Sequence, residues 1–221
     1  MQDTIEPRER MPRITIAAHW LSVLVILGAF ASILSIDFFE EESAAWEAIL
    51  NLHKNFGFVV FVLIFVRLCA RITNRKNMPL VQYGSKAVEL AAKAGHGLLY
   101  GLMLALVLLG ILSANAQGTD TLFFGFIHAP QLIAPSDDLE DFFVDLHGSV
   151  AWTLAAAAFL HAAAALWHHY VKKDNVLKVM LPAACTAKCC SKDQASKVST
   201  PAPAKSCCCG SGQKCDDKPA Q

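Results

Sequence analysis

Long apolar stretches, separated by short polar ones, make up most of this chain. Four of them, residues 14–36, 48–70, 95–115 and 146–167, contain no Asp or Glu. Each is long enough to cross a bilayer as a helix, which takes about 20 residues at about 1.5 Å per residue. The first stretch is longer than the core of a secretory signal peptide and has no small-residue cleavage pattern behind it, so we expect it to persist as a helix. The pattern predicts an all-α fold, an integral membrane four-helix bundle.

The overall composition agrees with a membrane protein. Hydrophobic residues make up 54% of the 221 residues, which exceeds the share usual in soluble domains, and the mean hydropathy is +0.39. Basic and acidic residues balance at 19 each. A chain without net charge shows no sign of nucleic-acid binding. We therefore expect membrane lipid as its surroundings and no nucleic-acid partner.

Lysine and arginine fall in three of the polar segments that flank the apolar stretches and avoid the other two. The connections between the first and second stretches and between the third and fourth are acidic. Because cytoplasmic loops are enriched in basic residues, the asymmetry predicts that both termini are cytoplasmic, with Lys54 as the only base near the outer face. The residues that decide the orientation are Arg8, Arg10, Arg13, Arg71, Arg75, Lys76, Lys86, Lys93, Lys172, Lys173 and Lys178.

Four histidines lie at matched depths in the apolar stretches. Counting from the charged boundaries places His19 and His161 near the inner leaflet and His53 and His147 near the outer leaflet. An imidazole in hydrocarbon is costly unless it is bonded to a partner. His147 and His161 are 14 residues apart, close to four helical turns and about 21 Å, so both project from nearly one face of the helix. The spacing predicts two pairs, His19 with His161 and His53 with His147, each binding one haem iron.

Iron porphyrin suits these residues better than other metal centres do. A zinc or di-iron site in a bundle gathers its ligands in one cluster, usually with carboxylates, and no carboxylate lies inside the four stretches. The chain has no C-x-x-C-H motif, which excludes ordinary covalent attachment of haem. Two strong axial ligands leave no open position on the iron. We therefore expect two haem b groups that transfer electrons and do not bind oxygen.

Three segments carry a family resemblance. They are ITIAAHWL around His19, NLHKNFGFVVFVLIFVRLCAR around His53, and DLHGSVAWTLAAAAFLHAAAALWHHYVKKDNVLKVMLP around His147 and His161, with HAAAALWHHYVKKDNVL as the most specific part. Over roughly residues 10–182 the chain resembles the bacterial cytochrome b561 family. The resemblance implies the same four haem ligands, the same pairing, a multi-pass protein of the bacterial inner (plasma) membrane, and quinone as one redox partner. In a superoxide oxidase type of this family, superoxide is oxidised at the outer face and ubiquinone takes the electrons.

The leading functional prediction is therefore an oxidoreductase that moves electrons from superoxide to ubiquinone or another quinone. Lys54, beside His53, is a candidate for attracting superoxide. Arg13, Arg67 and Arg71 are candidate partners of the haem propionates, although side chains that reach for lipid headgroups explain the three arginines equally well. Two alternatives stay open. One is an electron-transfer subunit fed by a separate redox protein, and the other is a metal transporter or sensor whose histidines bind a transition metal.

The remaining histidines and the glycines have plainer interpretations. His96, His168 and His169 lie at the inner interface, where we expect them to anchor helices, with a role at a quinone pocket as the alternative. We expect His128 at the surface of the outer loop. The glycines allow close packing of helices or macrocycles, and two of them, Gly57 and Gly148, lie within one turn of outer haem ligands. The other three are Gly28, Gly101 and Gly110.

The boundary after Pro182 divides a predicted dihaem cytochrome domain, residues 1–182, from a tail, residues 183–221. The Lys-, Ser-, Pro- and Ala-rich stretch within the tail predicts a flexible linker. A cytoplasmic location is reducing, so we expect no structural disulfides. The clustered thiols either bind a metal such as zinc, copper(I) or iron–sulfur, or form no site; Cys69, by contrast, is expected to be an ordinary small apolar residue. The tail cysteines are Cys185, Cys189, Cys190, Cys207, Cys208, Cys209 and Cys215.

Overall fold

The computed structural model of the chain describes residues 11–74 and 85–181, and these residues are mostly helical. The four main helices are α1 Arg13–Leu34, α2 Ala44–Thr73, α3 Lys86–Ala116 and α4 Asp137–Trp167. Within the described residues, all four are long and apolar enough to cross a membrane. The predictions of a helical fold and of four membrane-spanning candidates are confirmed.

Three of the four helices begin well before the apolar stretches from which they were predicted, whereas α1 follows its stretch closely. α3 and α4 each begin nine residues before the predicted stretch, and α2 begins four before it. Capping serines start the extensions of α2 and α3, because a Ser hydroxyl accepts a hydrogen bond from a free N–H group in the first turn. Ser43 Oγ accepts from Trp46 N at 3.2 Å, and Ser85 Oγ accepts from Val88 N at 3.3 Å. Hydropathy marks the part of a helix that fits the bilayer, whereas capping residues mark where the helix begins.

Consecutive helices are neighbours in the bundle: α1 packs on α2, α2 on α3, and α3 on α4. The buried core takes side chains from all four helices. Side chains of α1 and α4 also meet, as shown by Phe30 and Trp152, whose ring centres are 6.1 Å apart. The core residues are Val25, Val60, Leu63, Ile64, Met103 and Leu154.

Large apolar side chains cover the outside of the bundle. Leu24, Leu160 and Phe159 expose 65%, 66% and 73% of their surfaces. Apolar exposure on this scale is unfavourable in water and suits contact with lipid. Several hydroxyl groups within the helices bond to helix carbonyls, as Ser22 Oγ does to Ala18 O at 2.7 Å, which satisfies them where water is absent. The outer surface is therefore that of a membrane protein.

The bundle has two distinct ends. The loop end carries the α1–α2 and α3–α4 connections, and the terminal end is the opposite one, where α1 begins and α4 ends. At the loop end a small antiparallel hairpin, β1 Leu122–Phe123 with β2 Ile127–His128, lies within the α3–α4 connection. This hairpin was not predicted. It is tied to α2 by Asn55, whose Oδ1 accepts a hydrogen bond from Phe124 N at 2.8 Å.

The terminal end is closed by the residues that follow α4. A single π-helical turn, His168–Lys172, leads to a 3₁₀ turn, Lys178–Met180, which returns to the start of α1. Trp20 Nε1 donates to Met180 O at 2.9 Å, and Met11 N donates to Val179 O at 3.1 Å. The segment therefore packs against the beginning of α1.

Candidate haem sites

The loop-end pair consists of His53 on α2 and His147 on α4. Their ring centres are 6.1 Å apart and their planes are inclined by 75°. His53 Nδ1 donates a hydrogen bond to Ala29 O on α1 at 2.9 Å. A neutral imidazole that carries its proton on Nδ1 has a free lone pair on Nε2, so His53 is held in the tautomer that binds a metal through Nε2.

The backbone of α3 closely approaches His147. A Cβ atom at Gly110 would lie 3.4 Å from Cε1 of the His147 ring. Within the described residues, the buried His147 Nδ1 forms no hydrogen bond of ordinary geometry. The ring is therefore oriented mainly by packing against the α3 backbone at Gly110.

The terminal-end pair consists of His19 on α1 and His161 on α4. Their ring centres are 6.5 Å apart, with planes inclined by 64°. Arg67 on α2 donates from Nη2 to His19 Nδ1 at 3.2 Å, and its guanidinium lies 5.1 Å from the ring centre of Tyr100 on α3. All four helices therefore contribute a side chain to this end of the bundle.

The spacing of both pairs suits one iron between two imidazoles. A metal–imidazole bond is about 2 Å long, and the ring centre lies about 1 Å beyond the nitrogen, so two rings that share one iron have centres about 6 Å apart. The observed 6.1 Å and 6.5 Å match this value. The four histidines thus fit axial ligation of haem in the pairs that were predicted.

A different arrangement would be needed for a conventional zinc or di-iron site. In residues 11–74 and 85–181, no group of three or more His, Cys, Asp or Glu side chains is placed to hold a metal ion. Sites of that kind gather three or four protein ligands around the ion. The paired histidines are better suited to a ligand that already supplies four nitrogens of its own.

The other candidate residues from the sequence differ in how far they are buried and in whether they contact a histidine pair. Arg13 and Arg71 are exposed, whereas Arg67 is half-buried and contacts the terminal-end pair. Lys54 is half-buried beside His53. Cys69 is exposed and its thiol is free. The seven tail cysteines lie outside the described residues.

His96 is the residue whose position the sequence did not reveal. It does not open α3 but lies ten residues after the helix begins, and its ring centre is 5.1 Å from that of His161. The predicted stretch began at residue 95 because charged residues precede it, so it left out the first nine residues of α3. The depth that His96 shares with His161 is the signal that could have made His96 a candidate, although depth does not predict the contact itself.

A helical membrane bundle with two histidine pairs inside it is the architecture of a membrane-bound b-type cytochrome. The family model described as "Prokaryotic cytochrome b561" matches residues 10–183, and the chain belongs to this family. It is 33% identical over 173 residues to "Cytochrome b561 homolog 2" of Escherichia coli (strain K12), covering 78% of this chain and 92% of that protein.

Two further relatives have similar coverage. "Cytochrome b561 homolog 1" of Escherichia coli (strain K12) is 32% identical over 177 residues, covering 78% of this chain and 97% of that protein. "Probable superoxide oxidase CybB" of Yersinia pestis is 32% identical over 169 residues, covering 76% of this chain and 93% of that protein.

Family membership confirms the resemblance drawn from the histidine segments. It implies binding of haem b, and it identifies the chain as a membrane cytochrome that transfers electrons and belongs broadly to the oxidoreductases.

Proposed function

We propose that the protein is a dihaem cytochrome b that carries electrons from superoxide at the outer face of the bacterial inner membrane to quinone at the inner face. The observation that carries this proposal is the presence of two histidine pairs at opposite ends of one bundle, each spaced for a single iron. α4 supplies one histidine to each pair, and their spacing of 14 positions corresponds to about 21 Å of helix. Electrons therefore have a route along the bundle from one face to the other.

The orientation follows from charge. The loop end carries the acidic connections, and the terminal end is flanked by the basic segments. Under the positive-inside rule, the terminal end faces the cytoplasm and the loop end faces outward. The His53/His147 pair is then the outer haem site, and the His19/His161 pair is the inner one.

Bound haem b supplies the one-electron redox chemistry, while the protein holds and orients it. His53 is already oriented for ligation, because Ala29 O fixes the proton on Nδ1. His19 differs, because its Nδ1 accepts a hydrogen bond from Arg67. An imidazole that binds iron through Nε2 carries its proton on Nδ1 and cannot accept there. Arg67 must then turn to another acceptor, and a propionate is the anionic partner that suits a guanidinium.

Superoxide as the electron donor is supported by the name of one relative, a probable superoxide oxidase, and by Lys54. Lys54 is half-buried next to His53, and among the described residues no carboxylate lies within ion-pair distance of it. The loop-end connections are acidic and repel anions over about 8 Å at physiological salt. A free ammonium group beside the outer haem site provides a local attraction for superoxide.

For quinone as the electron acceptor, we propose an open apolar groove along α2 toward the terminal end, bordered on the α1 side by Ile14. The groove is lined mainly by Phe61, Phe65 and Val66, with Thr73 and Asn74 as polar residues at one end. Two superoxide ions each lose one electron to give dioxygen, and one quinone gains two electrons and two protons to give one quinol.

The decisive experiment uses the purified full-length protein in detergent or in liposomes. Haem content and the reduced-minus-oxidised spectrum are measured first, and two haem b groups per chain are expected. Superoxide and a short-chain ubiquinone are then supplied with no other protein, and quinol should form at half the rate at which superoxide is consumed above its spontaneous dismutation. The His53→Ala variant, which lacks the outer site, is the matched control and should not turn over.

Three results would contradict the proposal in different ways. Two haems without turnover, together with co-purification of a redox protein that reduces them, would instead support an electron-transfer subunit. Absence of haem from a folded protein expressed with ample haem supply would overturn the cytochrome assignment. Tight binding of a transition metal by the four histidines in place of haem would support the metal transporter or sensor alternative.

A further inference from the structure

His96 contacts the terminal-end pair without being one of the four proposed ligands. Its ring centre lies 5.1 Å from that of His161, closer than the 6.5 Å between His161 and His19. The value of 5.1 Å is shorter than the spacing of two rings that share one iron. His96 therefore touches His161 directly, and a metal ion has no room between the two rings.

The hydrogen bonding of His96 determines what it offers to His161. His96 Nδ1 donates to Ala92 O, one turn earlier on α3, at 2.6 Å. A carbonyl oxygen can only accept, so the proton of the neutral ring is on Nδ1. The Nε2 atom then has a lone pair and acts as an acceptor.

A histidine that binds a metal nearly always donates its other ring N–H to a nearby acceptor, which fixes the ring and makes it a stronger ligand. His53 meets this requirement through Ala29 O. For His161, the ring of His96 is the adjacent group with a lone pair. A straight N–H···N bond of about 2.9 Å between two imidazoles places their ring centres about 5 Å apart, in agreement with the observed contact.

The two rings meet edge to face, with an interplanar angle of 79°. Alignment of the two nitrogens requires a rotation of the His161 ring about its terminal side-chain torsion, since His96 is held by its hydrogen bond to Ala92 O. This torsion is broad in histidine, so the rotation costs little.

We propose that His96 is a positioning residue for the terminal-end haem, and that its Nε2 accepts the Nδ1–H of His161 when His161 Nε2 binds iron. This inference rests on the proposed function, because it takes His161 as an axial ligand. The hydrogen bond increases the electron donation of His161 and favours ferric over ferrous iron. His96 thereby lowers the midpoint potential of the terminal-end haem and leaves that of the loop-end haem unchanged.

The test compares the wild type with His96→Phe, which keeps a ring but removes the acceptor, and His96→Gln, whose Oε1 is an acceptor. His128→Phe is the matched control, since His128 is exposed in the loop-end hairpin. Midpoint potentials are measured by spectroelectrochemical titration, and axial ligation is measured by electron paramagnetic resonance of the oxidised protein. The terminal-end haem is identified as the one that His19→Ala removes.

The expected result is an upward shift of the terminal-end potential in His96→Phe, with changed g values for that haem alone. His96→Gln should remain close to the wild type, and His128→Phe should match it. If His96→Phe does not retain the terminal-end haem, His96→Met, with only a weak acceptor, replaces it with the same expected shift.

Several outcomes would overturn this inference. Unchanged terminal-end potential and g values in a dihaem His96→Phe protein would leave the proposed function standing and remove the role of His96. Equal shifts in the Phe and Gln variants would indicate packing without a hydrogen bond. Retention of the terminal-end haem by His161→Ala, and its loss in His161→Ala with His96→Ala, would show that His96 itself binds the iron. A wild-type protein without two bis-histidine haems would instead refute the proposed function.

Discussion

His53 and Arg67 are 14 residues apart on α2, the same spacing that separates His147 from His161 on α4. His53 forms half of the loop-end pair, and Arg67 bonds to His19 in the terminal-end pair. α2 therefore contributes to both sites in the way that α4 does, with an arginine in place of the second histidine. This arrangement makes Arg67 a functional candidate on a different basis from the exposed Arg13 and Arg71.

We predict that Arg67→Leu weakens haem retention at the terminal end by about 10- to 100-fold, which corresponds to the loss of one hydrogen bond to a charged group. The physical reason is that a propionate loses its cationic partner in a medium of low dielectric constant. Haem content of the purified variant, followed during dilution or competition with apomyoglobin, measures the effect. Arg71→Leu, which removes an exposed arginine one turn later, is the control, and equal losses in both variants would argue against the assignment.

Much of the site followed from the sequence because membrane insertion imposes strong rules. The depth of each histidine could be counted from the charged boundaries. Equal depth predicted the pairs His19 with His161 and His53 with His147, and the structure brings the same residues together. The contact of His96 with His161 could not be derived, because it depends on how α3 is rotated against α4. Hydropathy does not report that rotation when apolar residues surround a helix.

The loop-end hairpin could not be predicted from the sequence either. Its strands have only two residues each, which is too short for an alternating pattern. The contacts that hold it are specific to the folded chain: Phe123 stacks on Phe58 with ring centres 4.8 Å apart, and Asn55 accepts from Phe124 N. Helix existence was predictable from local composition, whereas this loop structure depends on residues distant in sequence.

The paired arrangement makes a prediction about combinations of ligand variants. His53→Ala and His147→Ala should each remove the loop-end haem and leave the other, since one axial ligand is insufficient for stable retention. Their combination should lose no more haem than either alone, whereas His53→Ala with His161→Ala should lose both haems. Pyridine haemochrome quantitation measures the content. Equal losses for every double variant would contradict the two-pair assignment.

Close packing between α1 and α2 makes Gly28 sensitive to substitution. A Cβ atom at Gly28 would lie 2.9 Å from Phe56 Cζ, whereas a Cβ at Gly101 would have no neighbour within 4 Å. We predict that Gly28→Ala destabilises the protein by about 1–3 kcal/mol through overpacking. Gly101→Ala, the control, should leave stability unchanged or raised.

Thermal unfolding in detergent, monitored by fluorescence or by loss of the haem spectrum, compares the two glycine variants. Addition of Phe56→Leu to Gly28→Ala should restore part of the lost stability, because the shorter side chain makes room for the new methyl group. A Gly28→Ala protein as stable as Gly101→Ala would show that α1 and α2 adjust without cost.

The last prediction concerns the electron donor and follows from the positive charge of Lys54. A cation beside the loop-end site attracts superoxide at short range, while the acidic connections repel it. Lys54→Glu should therefore slow superoxide oxidation by about 10-fold at low ionic strength, and added salt should reduce the difference from the wild type. Lys54→Arg should remain close to the wild type.

Lys93→Glu, which changes the net charge equally but lies exposed on α3 near its start, is the matched control and should leave the rate unchanged. Stopped-flow measurement of haem reduction by superoxide over a range of salt concentrations provides the comparison, and a Lys54→Glu protein with wild-type rate and salt dependence would remove Lys54 from the mechanism.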